Sequence, residues 1–161
     1  YKSYWGNINN LVLNDIKFKN DKDRIEFIET ASLTADNYAS KTGDRLLLQP
    51  NMFNVVSSIP ARYTTRTLDF EIERGFKDED QYVVEFPSNL AVEALPESVS
   101  VNTKFGTYSF SVEALEANKI RYTRTYVLNK GKYTKNEYEE FRDFRKLIAK
   151  HDKAKMVLKI N

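Results

Sequence analysis

The sequence contains no cysteine and a single histidine among 161 residues. Without cysteine the chain has no disulfide, no zinc site built on thiolates and no thiol nucleophile. A serine nucleophile needs a positioned base beside it, and neither a G-x-S-x-G nor an S-x-x-K motif occurs. The five glycines are scattered, which excludes a glycine-rich phosphate loop. We therefore predict no complete active site, no cofactor and no metal in this chain.

The chain also lacks a strong charge of one sign and a long apolar run. Lys and Arg together number 25, Asp and Glu 23, and the net charge is +2. A nucleic-acid-binding domain usually shows a clustered basic excess, and no apolar run here reaches the length of a membrane span. We expect neither a nucleic-acid partner nor a membrane-spanning segment.

Aromatic residues are what the sequence holds in quantity, with 10 Tyr and 10 Phe. This content argues against disorder and favours strands. The length suits one domain, which buries about two-thirds of the surface of its unfolded chain without disulfides. The chain starts at Tyr1 rather than Met and shows no signal peptide, so we expect a piece of a longer protein. We predict a single domain over residues 1–161.

Short runs of alternating apolar and polar residues occupy most of the chain. The clearest lies at 68–73, where Leu68, Phe70 and Ile72 alternate with acidic residues. Asp78-Glu79-Asp80 is interpreted as a solvated turn, since it lacks the spacing of a calcium loop. Further strands are expected near 11–18, 25–33, 46–48, 82–86, 92–95, 99–101, 108–112 and 120–128. Several short strands separated by turn residues predict a mainly β fold, an antiparallel β-sandwich.

One amphipathic helix is predicted near the C-terminus, at about 135–150. Thr134 as N-cap and Glu137 three residues later form a capping box, and Tyr133 with Tyr138 is expected to form a hydrophobic staple. An apolar stripe at helical spacing predicts that the helix packs on the sheet or across an open end of the sandwich; the members of the stripe are Tyr138, Phe141, Phe144 and Ile148. His151 is interpreted as a surface residue near the helix C-terminus. A closing strand is expected at about 155–160.

Three arginines and one tyrosine on or beside tyrosine-rich strands are the candidate binding residues, and we expect them at the surface. They are Arg62, Arg66, Tyr122 and Arg124. Arg interleaved with aromatic rings makes a binding surface for glycans, peptides or a neighbouring domain, although long Arg stems also cover rings as ordinary strand decoration. Arg124 shares a face with Tyr122 and Tyr126, so it must be paired, or the strand must leave the core there.

Short motifs occur in a fixed order along most of the chain. The motifs are Asn37-Tyr38-Ala39, Gly43-Asp44-Arg45, Leu95-Pro96-Glu97, Phe105-Gly106-x-Tyr108, Tyr122-x-Arg124, Gly131-Lys132-Tyr133, Tyr138-x-x-Phe141-Arg142-Asp143-Phe144 and Asp152-x-Ala154-Lys155-x-Val157-Leu158. Together they resemble the trailing domain of bacterial transglutaminase-like proteins. The resemblance implies a β-sandwich domain of unknown function that follows a papain-like core in an envelope-associated, periplasmic protein. It also implies a Cys-His-Asp site in the preceding domain. None of that triad is carried over, because this chain has no Cys.

Three functions remain open at this point. The first is a non-catalytic C-terminal accessory or interaction domain of a bacterial envelope transglutaminase-like cysteine hydrolase, a protease. Its partners would be the neighbouring domain of the same polypeptide and a peptide or glycan substrate. The second is a stand-alone glycan- or peptide-binding β-sandwich module. The third, a hydrolase using carboxylates, requires a pocket in which Asp and Glu converge.

Overall fold

The computed structural model describes residues 5, 6 and 8–161, and among these it contains twelve strands and one α-helix. The strand pairings are antiparallel, and the helix lies near the C-terminus, so the predicted mainly antiparallel β fold with one C-terminal helix is confirmed. In this part of the chain no helix is long and apolar enough to cross a membrane. Two compact units lie within residues 1–40 and 41–161. That the whole chain is one domain stays a prediction.

The described part of the first unit contains a β-hairpin, formed by β1 (Leu11–Asp21) and β2 (Glu26–Ala35). The pairing shifts by one residue between Leu13 and Asp15, which leaves Asn14 as a bulge. The extra residue shifts the alternation of side chains by one position. The apolar residues before the bulge, such as Leu13, therefore lie on the same face as those after it, such as Ile16. The rings of Phe18 and Phe27 stack near the turn with centroids 5.8 Å apart. Both strands predicted here are confirmed.

The second unit is built on a four-stranded antiparallel sheet. Its strands are β6 (Phe76–Glu85), β8 (Val99–Thr103), β9 (Gly106–Glu116) and β10 (Lys119–Leu128), in the order β6-β10-β9-β8. Every second residue of β10 from Ile120 to Leu128 is buried. This inner face, shared with Tyr108 and Phe110 of β9, is the core of the unit. Gly106 has φ +145°, and a Cβ there would overlap the carbonyl oxygen of Val127.

A second four-stranded sheet contains β3 (Ser40–Thr42), β4 (Arg45–Leu48), β7 (Leu90–Ala94) and β12 (Met156–Ile160), in the order β3-β4-β12-β7. The predicted closing strand is therefore β12, and it lies between β4 and β7. A short pair joins β5 (Phe70–Ile72) to β11 (Gly131–Tyr133). The strand predicted at 68–73 is shorter than expected, since Leu68 lies outside β5 and is 75% exposed.

The C-terminal helix begins with a 3-10 turn at Lys135–Glu137 and continues as α1 (Tyr138–Asp152). The predicted capping box is present, and Oε2 of Glu137 accepts hydrogen bonds from the backbone N–H and the hydroxyl of Thr134 at 2.7 and 2.8 Å. The ring of Phe144 contacts that of Tyr126, with centroids 6.2 Å apart. The helix thus packs on the inner face of the sheet, as predicted. That the sheets form a sandwich stays a prediction.

Residues 50–69 form a long irregular segment without regular secondary structure, which we call the strap. Three side chains of α1 donate hydrogen bonds to strap carbonyls: Tyr138 to Ala61 at 2.8 Å, Arg142 to Pro60 at 3.1 Å and Arg145 to Ser58 at 3.4 Å. These donors are spaced four and three residues apart, so they share one face of the helix. Their order shows that the strap runs antiparallel to α1.

Candidate functional site

A buried ion-pair network occupies the centre of the second unit. The guanidinium of Arg124 binds Asp152 through Nε–Oδ1 at 2.8 Å and Nη2–Oδ2 at 3.0 Å. Its Nη1 binds Oδ2 of Asp80 at 2.8 Å. The side chains of Arg124 and Asp152 are 0% exposed and that of Asp80 is 4% exposed. Burial by itself lowers the pKa of Arg124. The hydrogen bonds and charges of Asp152 and Asp80 together have a larger, opposite effect, so the pKa of Arg124 is raised above its ordinary value.

Four further donors complete the coordination of the two carboxylates. Asp152 accepts bonds from the hydroxyl of Tyr108 at 2.8 Å and the backbone N–H of Val56 at 2.9 Å. The hydroxyl of Tyr82 and the side-chain amide of Asn54 bind Oδ1 of Asp80. Each of the four carboxylate oxygens of Asp80 and Asp152 therefore accepts at least one hydrogen bond from another residue of this chain. The network joins β6, β9, β10, α1 and the strap, and this arrangement is that of a structural centre.

The network corrects two predictions. Asp78, Glu79 and Asp80 are not a solvated turn, because they lie in β6, where Asp80 faces Arg124 across the strand pair. Tyr122 and Arg124 are not surface residues, since they are 1% and 2% exposed and point from β10 into the core. The expectation that a core Arg124 must be paired is confirmed. The sequence does contain a signal for the partner of Arg124. Asp80 lies an even number of positions from Tyr82 and Phe86, so in a strand it lies on the same face as these rings.

The other two candidate arginines lie in the strap. The guanidinium carbon of Arg66 is 4.2 Å from the ring centroid of Tyr138 and 5.7 Å from that of Tyr63, and its Nε donates to the carbonyl of Leu68 at 2.9 Å. Arg62 is exposed and pairs weakly with Glu139 at 3.8 Å. Tyr63 is 54% exposed and Leu68 75% exposed. We call Tyr63, Arg66, Leu68 and Tyr138 the aromatic patch. It offers stacking, cationic and apolar contacts to a partner.

Beneath the aromatic patch lies a cluster of rings centred on Phe70. The ring of Phe70 contacts those of Tyr133 at 5.3 Å, Tyr138 at 5.5 Å and Phe141 at 5.3 Å between centroids. The predicted staple residues Tyr133 and Tyr138 therefore both pack on Phe70. Since Phe70 belongs to β5, this cluster fixes the helix start, and with it the patch, to the short strand pair.

A hydroxyl-lined cleft of about 400 Å³ lies over β8, β9 and β10. Its small polar lining residues are Ser98, Ser100, Ser109, Ser111, Thr123 and Thr125. The hydroxyls of Ser111 and Thr123 are hydrogen-bonded at 2.8 Å. Such a row both donates and accepts hydrogen bonds, which suits an uncharged polar ligand.

His151 is half-buried rather than on the surface, because its ring packs 5.5 Å from that of Phe110. Burial and the charge of Lys150 lower its pKa, while Asp152 and Glu97 act in the opposite direction. Among residues 5, 6 and 8–161 no group of three His, Cys, Asp or Glu side chains is arranged to hold a metal ion.

Comparison with known proteins gives a fold relative. A crystal structure of "a putative protease from Parabacteroides distasonis ATCC 8503" is similar with a TM-score of 0.51 and 21% sequence identity. The similarity covers 62% of this chain and 20% of that one, so the chain matches about a fifth of the length of that protein. At this identity the likeness is one of fold. No curated protein matches the sequence.

A family model described as "Domain of Unknown Function with solved-structure structure" (DUF3858) matches residues 44–158. The matched range contains Asp80, Arg124 and Asp152, the aromatic patch and α1. It begins after the hairpin of the first unit. The chain therefore belongs to the DUF3858 family.

Proposed function

We propose that this chain is a non-catalytic accessory domain of a longer bacterial transglutaminase-like protein. Its role would be to bind the neighbouring catalytic domain or the substrate of that domain. The carrying observation is the state of Asp80 and Asp152, two carboxylates that converge on Arg124. Both are buried, and every oxygen is occupied by a donor of the chain. A general base or nucleophile needs a free oxygen directed at its substrate, so these residues serve stability.

The aromatic patch supports the binding part of this proposal. Tyr and Arg are enriched in protein interfaces because they combine large contact area with polar or charged ends. Arg66 is held over Tyr138 and hydrogen-bonded to Leu68, so little side-chain entropy is left to lose on binding. Leu68 and Tyr63 present apolar surface beside it. We assign this patch to the contact with the neighbouring domain.

The cellular compartment belongs to the same proposal. The resemblance to envelope transglutaminase-like proteins supports a periplasmic or envelope location. Fractionation of cells that express the longer protein at its natural level, with immunodetection of this domain, tests it. Recovery with cytoplasmic markers would contradict the proposed location without affecting the role of the patch.

The function is tested by comparing the longer protein with the isolated chain in peptide hydrolysis. We expect activity only in the longer protein. In that protein the double substitution Tyr63→Ala with Leu68→Ala should reduce activity or loosen the domain contact, which limited proteolysis measures. Val83→Ala is the matched control, since Val83 is 58% exposed on β6 outside the patch. Hydrolysis by the isolated chain would overturn the non-catalytic role.

The hydroxyl-lined cleft favours a second candidate, a module that binds glycans. Hydroxyl groups of Ser111 and Thr123 would replace water around sugar hydroxyls. Calorimetric titration of the isolated chain with neutral oligosaccharides tests this function. Saturable binding that is lost in Thr123→Val supports it, whereas heats equal to those of dilution would exclude it for the sugars used.

A further inference from the structure

A groove of about 480 Å³ lies between the strap and the second half of α1. Its lining residues are Ile59, Asp143, Lys146, Leu147, Ala149, Lys150, His151 and Lys153. The groove is separate from the aromatic patch, which lies at the start of the helix. It is large enough for one or two side chains of a ligand.

The apolar part of the groove consists of Ile59 on the strap side and Leu147 with Ala149 on the helix side. Ile59 is 41% exposed. The carbonyls on both sides of Ile59, those of Ser58 and Pro60, accept hydrogen bonds from arginines of α1. The strap wall is therefore fixed in place, and the apolar surface is preformed.

The rim of the groove is basic. Lys146, Lys150 and Lys153 are exposed, and within the described part of the chain none of them forms an ion pair. Asp143 is the one carboxylate in the lining. Two further acidic residues lie close to the lining residue His151: Asp152, which is buried and bound to Arg124, and Glu97, which is exposed. The three ammonium groups therefore outnumber the two exposed carboxylates, Asp143 in the lining and Glu97 beside His151, so the rim keeps a net positive charge.

We propose that this groove binds an acidic peptide segment that carries a large apolar side chain. The apolar side chain would cover Ile59 and Leu147, and the flanking carboxylates would pair with the lysines of the rim. Charge complementarity selects against basic segments, since like charges at close range are unfavourable. This site is additional to the aromatic patch and does not depend on the role proposed for it.

The probe is a fluorescein-labelled peptide in which Glu and Asp flank a central pair of Leu residues, titrated with the isolated chain by fluorescence anisotropy. Lys146→Glu with Lys150→Glu should weaken binding about tenfold or more, because two attractions become repulsions. Ile59→Asp should weaken it as well. The matched control is Lys130→Glu with Lys132→Glu, which reverses two exposed charges outside the groove and should leave affinity within about twofold. Circular dichroism confirms that each variant is folded.

Two comparison peptides separate groove recognition from general charge attraction. One carries Lys in place of the acids, and the other carries Gly in place of the Leu pair. We expect both to bind at least about tenfold more weakly than the probe. Equal binding of either peptide, or equal weakening by the control variant, would overturn the proposal. Absence of probe binding together with binding to vesicles of anionic lipid would also overturn it and would indicate a membrane surface instead.

Discussion

Arg124 of β10 forms a bidentate ion pair with Asp152 of α1 through two hydrogen bonds of 2.8 and 3.0 Å. The two residues are 28 positions apart in the chain. The pair lies in the core, where an isolated charge is costly. Asp80 supplies a second carboxylate, so the guanidinium is enclosed between two anions. Because all three side chains are buried, the loss of any one of them leaves a charge in the core without its full set of partners.

Asp152→Ala is expected to destabilise the second unit by roughly 3–5 kcal/mol, because Arg124 loses its two-point partner while remaining buried. Tyr108 and Val56 lose their acceptor at the same time. Urea unfolding followed by circular dichroism measures the change. Asp143→Ala on the exposed side of the same helix is the control and should change stability by less than about 0.5 kcal/mol. Equal effects of both substitutions would contradict a central role of the pair.

Two buried tyrosines on the inner face of the sheet should respond in opposite ways to loss of the hydroxyl. The hydroxyl of Tyr108 binds Asp152 at 2.8 Å, whereas that of Tyr122 is buried with no hydrogen-bond partner in the described structure. Tyr108→Phe should cost about 1–3 kcal/mol, since it leaves a charged acceptor underpaired. Tyr122→Phe should be neutral or slightly stabilising, because the buried hydroxyl carries a desolvation cost without a bond. Urea midpoints of the two variants give the comparison, and a larger loss in Tyr122→Phe would contradict it.

Glu137 at the helix start should make stability depend on acid pH. Its hydrogen bond with Lys104, followed by those from the backbone and hydroxyl of Thr134, lowers its pKa to about 2. A carboxyl group with a lowered pKa stabilises the fold above its unfolded pKa, and this stabilisation is lost as the pH falls through the folded value. Glu137→Gln should therefore be less stable than the natural chain at pH 7, and the difference should close between about pH 4.5 and 2.

Urea midpoints of both proteins across this pH range provide the measurement for Glu137. Glu73→Gln is the matched control, because Glu73 is exposed and forms no ion pair in the described part of the chain. The difference in urea midpoint between Glu73→Gln and the natural protein should stay constant over the pH range in which the difference for Glu137→Gln closes. A constant difference for Glu137→Gln from pH 7 to pH 2 would show that the carboxylate charge plays no part.

The two strap arginines should differ in their contribution to stability. Arg66→Ala removes the contact with the ring of Tyr138 and the hydrogen bond to Leu68, and should cost about 1 kcal/mol. The stability of Arg66→Lys should lie between that of the natural chain and that of Arg66→Ala, since a lysine keeps the charge but not the planar stacking on the ring. Arg62→Ala loses one exposed ion pair of 3.8 Å and should cost less than about 0.5 kcal/mol. Thermal unfolding of the three variants tests this order.

Local patterns in the sequence predicted the helix and most strands because their signals lie within a few residues. Thr134 and Glu137 cap the helix as their spacing indicates. The alternation of β10 places Arg124 on the buried face, where its charge needs an acidic partner, and in the structure Asp152 and Asp80 are those partners. Asp80 was missed because a run of three acidic residues resembles a turn, although its phase in the strand places it opposite Arg124.

The strap and the groove could not be predicted, because both depend on contacts between distant parts of the chain. The three side chains of α1 that donate hydrogen bonds to the strap are 77 to 87 residues away from their acceptors in sequence. Leu68 shows the same limit. It continues the alternation of Phe70 and Ile72, yet within the described residues β5 pairs with β11 alone, and the pairing begins at Phe70.

The position of β12 in its sheet has a consequence for synthesis on the ribosome. β4 and β7 do not pair with each other, since β12 lies between them and pairs with both. During translation β4 and β7 emerge long before residues 156–160, so each presents an unpaired edge to solvent or to a chaperone in the meantime. Completion of this sheet, and of the contacts made by Asp152 just before it, therefore has to follow release of nearly the whole domain from the exit tunnel.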